Sequence, residues 1–246
     1  MRDDLLDAKA AVDWAVAQIR ILHRRIARWL DRGPYFAVTV PDSQPGKELV
    51  KVKEQVPIPP SVNAEASAII DMLRTSLDLL VIGLAERNGH SRPKDVCFPI
   101  ASSLRDFIDP IDGAARRKLN RLAEKDRLTI EELKPYPGGD ERIYSLHQLD
   151  QLRRQHRLVE VSARPRSMGL INCGSNAGPE YLYAGKVEDG ALLFRLPAGT
   201  NAKVDLRLEV TFSDTPYATG RPVVTTLRDF ASRTQEIIAK FDEPAP

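Results

Sequence analysis

The sequence predicts an α+β fold: an N-terminal helical bundle with a β-hairpin near 35–57, followed by a small antiparallel sheet and a C-terminal helix. Three observations predict it. Apolar residues recur at helical spacing through most of residues 3–155. Past residue 157 the period changes to strand-like alternation. A helical stripe then returns near the C-terminus. Residues 1–246 are expected to form one compact unit, mainly helical over 1–157, with antiparallel strands and a closing helix over 158–246. The last helix is strongly apolar and needs the first helices, or the sheet, to cover it.

Residues 3 to about 31 carry Leu5, Val12, Val16, Ile19, Ile26 and Leu30 on one helical stripe, and Gly33-Pro34 ends it. Tyr35–Val40 and Leu49–Val52 favour strands, and Pro41–Gly46 between them has turn chemistry. Pro57, Pro59 and Pro60 form a stiff connector. A helix from about Ala64 to Glu86, with Ser61 or Asn63 as cap, is apolar over a wide arc and should be central. Cys97–Ile100 reads as a short buried extended piece. Shorter helices are expected near 101–108, 113–125 and 129–134, the last opened by a Thr129/Glu132 capping box. Another covers about 144–155. Leu158–Val161 and Leu170-Ile171 read as strands. Tyr181–Val187 and Ala191–Leu196 flank Glu188-Asp189-Gly190 as a hairpin. Val204–Phe212 alternates like a half-buried antiparallel strand. The last helix runs from about Val223 to Phe241.

The 246 residues are 42% hydrophobic and 28% charged, which excludes wholesale disorder and fibrous repeats. Lys plus Arg total 36 and Asp plus Glu 34, so the net charge is only +2. Any grip on nucleic acid must therefore come from a local patch. Two cysteines, Cys97 and Cys173, exclude a disulfide framework and a four-cysteine zinc site. The start Met1-Arg2-Asp3-Asp4 has no apolar block of a secretory signal, and no stretch reaches the roughly 18 apolar residues of a membrane span. The expected setting is cytoplasmic, away from the membrane. No cofactor fingerprint occurs, so no cofactor is expected.

Several short motifs follow one another in order. Leu73-Arg74-x-x-Leu77-Asp78-x-Leu80 comes first, then Phe98-Pro99-Ile100. Ile130-Glu131-x-Leu133-x-Pro135-Tyr136 follows, then Leu146-His147-x-Leu149-Asp150 and His156-Arg157-Leu158. Val210–Phe212 then precedes Gly220-Arg221-Pro222-Val223. This series resembles a widespread group of uncharacterised bacterial proteins with Arg-x-x-Leu-Asp, Phe-Pro-Ile, Gln-Pro-Tyr and Asp-Lys-His-Arg segments. The resemblance covers most of residues 62–242. Lys134 stands where those proteins have Gln, and Arg153-Arg154-Gln155 where Asp-Lys would precede His156-Arg157. The resemblance implies a fold but no activity.

Arg74 and Asp78, at i,i+4 spacing in the most apolar helix, form either a structural bridge or part of a polar site with His156 and Arg157. Arg142 and His147 form Arg-x4-His, the spacing of HEPN-type helical ribonucleases. There an Arg stabilises phosphate charge and a His moves a proton across a dimer. Ile143 replaces the polar residue usual after that Arg. His156-Arg157, preceded by Arg153 and Arg154, makes a basic junction that either complements a helix C-terminus or meets an RNA backbone. Gly174–Gly178 matches no phosphate-binding fingerprint, Cys173 has no base placed by the sequence, and the four histidines lack metal-ligand spacing. Three functions are therefore expected to compete. The first is a non-enzymatic binding or assembly module. The second is a HEPN-like, metal-independent ribonuclease or defence-type module, dimeric, using Arg142 and His147. The third is a small-ligand binder around Arg74, Asp78, Tyr136 and His156.

Overall fold

The computed structural model describes residues 3–90, 96–109, 113–155, 158–171, 178–183, 185, 187–200, 202–213 and 217–242. A 3₁₀ turn at Asp3–Leu5 leads into α1, Leu6–Leu30. Its inner face is lined by Ala8, Ala11, Val12, Ala15, Ile19, Leu22, Ile26 and Trp29. The alanines keep that face low, so α1 lies close along α2, Ser61–Arg87. α2 is buried around most of its circumference, as its wide apolar arc predicts. It starts three residues before the expected Ala64, behind Pro60, whose φ of -56° is already helical. Neither expected cap acts: Ser61 Oγ accepts from Arg25 instead, at 3.1 Å, and Asn63 Oδ1 is buried with no hydrogen-bond partner among the described residues. Gly83 lets α2 pass the Asp4 carbonyl, which a Cβ at that position would strike.

The hairpin is present as β1, Tyr35–Pro41, and β2, Lys47–Glu54, antiparallel with Tyr35 opposite Glu54. Three short helices follow α2: α3 Leu104–Ile108, α4 Ala114–Leu119 and α5 Glu124–Leu133. Ser103 caps α3, accepting from Asp106 N at 3.1 Å. The expected boundary at Thr129 is wrong. Thr129 lies inside α5 and donates its hydroxyl to the Lys125 carbonyl one turn back, at 3.0 Å; the break falls at 120–123 instead. α5 ends at Lys134, whose φ of 51° turns the chain into the Pro135–Asp140 loop. α6, Glu141–Arg154, starts three residues before the expected 144 because Asp140 caps it, accepting from Arg142 N and Ile143 N at 3.1 Å.

The strands past residue 160 are β3 Val161–Ile171, β4 Glu180–Tyr181, β5 Leu192–Pro197 and β6 Lys203–Phe212. They divide between two sheets. β3 and β6 form an antiparallel ribbon, while β4 and β5 join the hairpin in a sheet of order β1-β2-β5-β4. Strand β3 is far longer than the Leu158–Val161 and Leu170-Ile171 fragments expected, because it runs through Pro165 on an irregularity in register. The boundary at 157 thus divides the chain in order but not in space. β2 pairs with β5, and the closing helix α7, Val223–Asp242, packs on α1, α2 and α6. Among the described residues no helix is long and apolar enough to cross a membrane.

Candidate functional site

Arg74 sits on α2 where that helix meets α6, and only 3% of it is exposed. Its guanidinium is engaged in three directions. Nη1 ion-pairs with Asp78, Nη2 donates to the Phe98 carbonyl at 3.1 Å, and Nε donates to His147 Nδ1 at 3.4 Å. Asp78 in turn accepts from Phe98 N at 2.7 Å. The extended Phe98-Pro99-Ile100 segment is thereby pinned to α2 through both backbone groups of Phe98. This satisfies polar groups that burial would otherwise leave costly.

His147 is pushed down to about 4, first by burial and then by the Arg74 charge, with Asp150 opposing. The ring is therefore neutral near pH 7. Asp150, fully buried on α6, accepts from Arg153 Nε at 3.2 Å and Arg154 Nε at 2.7 Å. Arg153 also ion-pairs with Asp71 of α2. The seam between α2 and α6 is therefore lined with paired charges, and the basic stretch at 153–154 is largely neutralised. Arg74, Asp78, Phe98, His147 and Asp150, all from the ordered motifs, converge here. Tyr136 belongs to the neighbouring loop, its half-buried ring 5.3 Å from that of Phe107. His156, Arg157, Cys173 and residues 174–177 lie outside the described residues.

Arg142 and His147 do not meet. Five residues of helix turn them about 140° apart. Arg142 reaches toward Glu236 of α7, 3.7 Å away, while His147 faces Arg74 of α2. Arg142 also borders a shallow depression with Asp140 and Arg233, where Arg233 Nε holds the capping carboxylate of Asp140 at 2.6 Å. Among the described residues no group of three or more His, Cys, Asp or Glu could hold a metal ion.

A second polar site was not singled out from the sequence. A cavity of about 430 Å³ lies beside the C-terminal half of α1, lined by Ile21, Arg24, Arg25, Arg28, Trp29, Arg32 and Pro59. Arg25 is occupied, 2.9 Å from Glu65 and bonded to Ser61. Arg24, Arg28 and Arg32 are exposed and pair with no carboxylate among the described residues; Arg24 Nε donates only to the Arg20 carbonyl, at 3.4 Å. Trp29 forms a rigid wall. It is 3% exposed, and its indole N–H is shared between the Val56 and Pro57 carbonyls at 3.0 Å each. The readable signal was the stretch Arg20–Arg32, in which Arg20, Arg24 and Arg28 repeat every four residues. That period puts them on one face, about 6 Å apart along the axis. Comparison of the chain with protein-family models, with curated proteins and with solved structures returned no match.

Proposed function

We propose that the protein is a non-enzymatic binding module that holds a nucleic-acid backbone in the arginine groove of α1. The observation that carries this is the row of unpaired guanidinium groups in a walled cavity, on a chain whose net charge is only +2. Helix polarity accounts for a cation in the last turn, but Arg20 and Arg24 lie further back, beyond its reach. Guanidinium groups are suited to phosphate because each can donate two parallel hydrogen bonds. A linear row in a groove matches a linear polyanion. The residues best suited to acid–base work are engaged with other parts of the chain: Arg74 and Asp78 staple the fold, His147 faces Arg74, and the exposed Arg142 reaches toward Glu236.

Fluorescence anisotropy with short single- and double-stranded RNA and DNA tests this. Three free arginines predict a salt slope of about −2.1 to −2.7, so raising salt fourfold weakens binding about twenty- to fortyfold. Joint replacement of Arg24, Arg28 and Arg32 by Gln should abolish binding and leave the fold intact. Bound RNA should be recovered uncut without metal. Binding that ignores both salt and the triple replacement would overturn the proposal. Cleavage lost in His147→Ala would restore the ribonuclease alternative.

A further inference from the structure

The end of the four-stranded sheet is open at β1, since among the described residues no strand pairs with its outer edge. The hairpin's parity says which groups face outward. Gln55 N donates to the Pro34 carbonyl at 2.8 Å and Asp42 N to the Lys47 carbonyl at 3.1 Å. Even-numbered residues of β1 therefore bond to β2, and Tyr35, Ala37 and Thr39 turn their N–H and C=O groups outward. The seven residues, Tyr-Phe-Ala-Val-Thr-Val-Pro, contain no charge, and their pairing with β2 contains no bulge. Edges that must stay single are guarded by charge, bulge or proline; here only Pro41, at the very end, does so. Tyr35 does not shield the edge. Its ring packs edge-on to Trp29 at 6.1 Å, and its hydroxyl donates to Glu54 at 2.9 Å.

We infer that β1 pairs antiparallel with β1 of a second copy of this chain, joining two four-stranded sheets into one. A two-fold axis through Ala37 places Ala37 opposite its own copy and Tyr35 opposite Thr39 of the second copy. Every outward N–H of those three residues then meets an outward carbonyl, six bonds in all. The same register sets Phe36, 46% exposed as it stands, opposite Val38 of the second copy. That is a non-hydrogen-bonded pair, in which side chains lie closest and an aromatic against a β-branched residue is favourable. Pro41 falls opposite Gly33, just where the pairing ends. This self-complementarity favours a second copy over a foreign strand. The small contact makes it a weak, micromolar association. The inference does not depend on nucleic-acid binding.

Analytical ultracentrifugation of the full chain, from low micromolar to a few hundred micromolar, tests it together with amide hydrogen exchange. Two variants address the edge. Thr39→Pro removes an outward N–H without breaking a bond to β2, and Phe36→Lys sets like charges near the joint. Circular dichroism and a thermal melt confirm that each still folds. The expected result is a concentration-dependent dimer whose Ala37 and Thr39 amides become protected. Each variant should weaken it at least tenfold. A wild type that stays monomeric throughout the range overturns the inference and leaves the edge to a strand of another protein. A dimer indifferent to both variants, or with no new protection in β1, overturns it equally.

Discussion

The titration of His147 can be worked through from its surroundings. Its ring is held near 4 rather than 6.5, mainly by burial and then by Arg74. In the unfolded chain the ring should protonate near its ordinary value. Between pH 6.5 and 4 the unfolded state therefore binds a proton that the folded state refuses, and stability must fall as pH falls through that window. The full difference corresponds to about 3.4 kcal/mol; the partly exposed ring loses some of this to solvent, leaving about 2 kcal/mol. His147→Gln removes the titration and keeps an acceptor for Arg74 Nε. Urea unfolding of wild type and variant at a series of pH values from neutrality downward isolates the effect, since the carboxylates titrate in both. The wild type should lose ground relative to the variant below about pH 6.5, by no more than about 1.4 kcal/mol per pH unit. A flat difference would refute the burial of a neutral ring against Arg74. A difference of opposite sign would mean that Asp150, not Arg74, governs the imidazole.

Arg74→Ala strips the partner from Asp78 and leaves the Phe98 carbonyl unsatisfied, so it should cost about 3–5 kcal/mol in chemical denaturation. Arg74→Lys should recover only part of this, because one ammonium cannot serve Asp78, Phe98 and His147 along the three directions of the guanidinium fork. Gly83→Ala sets two effects against each other. Helix propensity favours alanine by about 1 kcal/mol, but its Cβ strikes the Asp4 carbonyl and must displace backbone. The clash should win, lowering stability by about 1–3 kcal/mol, and a more stable variant would show that the N-terminal turn yields.

Much of the fold could be read from pattern alone. The α1 stripe, the apolar girth of α2 and the 35–57 hairpin all express one-dimensional periodicities that the three-dimensional packing preserves. Boundaries failed where a local signal had two meanings. Thr129 looked like a cap, yet a threonine hydroxyl can equally bond one turn back inside a helix, as it does here. The division of strands into two sheets could not be seen, because the pairing of β2 with β5 joins residues about 150 positions apart and leaves no trace in local alternation. At the seam, Arg74 and Asp78 were identifiable from their i,i+4 spacing. That His147 would face Arg74 depended on how α6 is rotated against α2, which spacing along one helix cannot tell.

Basic runs in the sequence were equally poor guides to basic surface, and the reason is specific. Arg153 and Arg154 lie one turn beyond Asp150 and both pair with it, and Arg153 also pairs with Asp71 of α2, so their charge is answered within the α2–α6 seam. Arg24, Arg28 and Arg32 instead border a cavity shared with the proline-rich connector. That connector presents the Val56 and Pro57 carbonyls, which take the Trp29 indole N–H, and Pro59, which carries no charge. The groove stays positive because among the described residues no carboxylate lines its far wall, and Glu65 pairs with Arg25. Pro59→Glu supplies the missing acid at the lining itself. It should neutralise about one of three free guanidinium groups and reduce the salt slope of nucleic-acid binding by about 0.7–0.9. The Pro57 and Pro60 flanks, with Val62 N still donating to the carbonyl of residue 59, keep the connector's path. An unchanged slope, with the fold intact by circular dichroism, would place the bound phosphates away from this wall and move the binding face off α1.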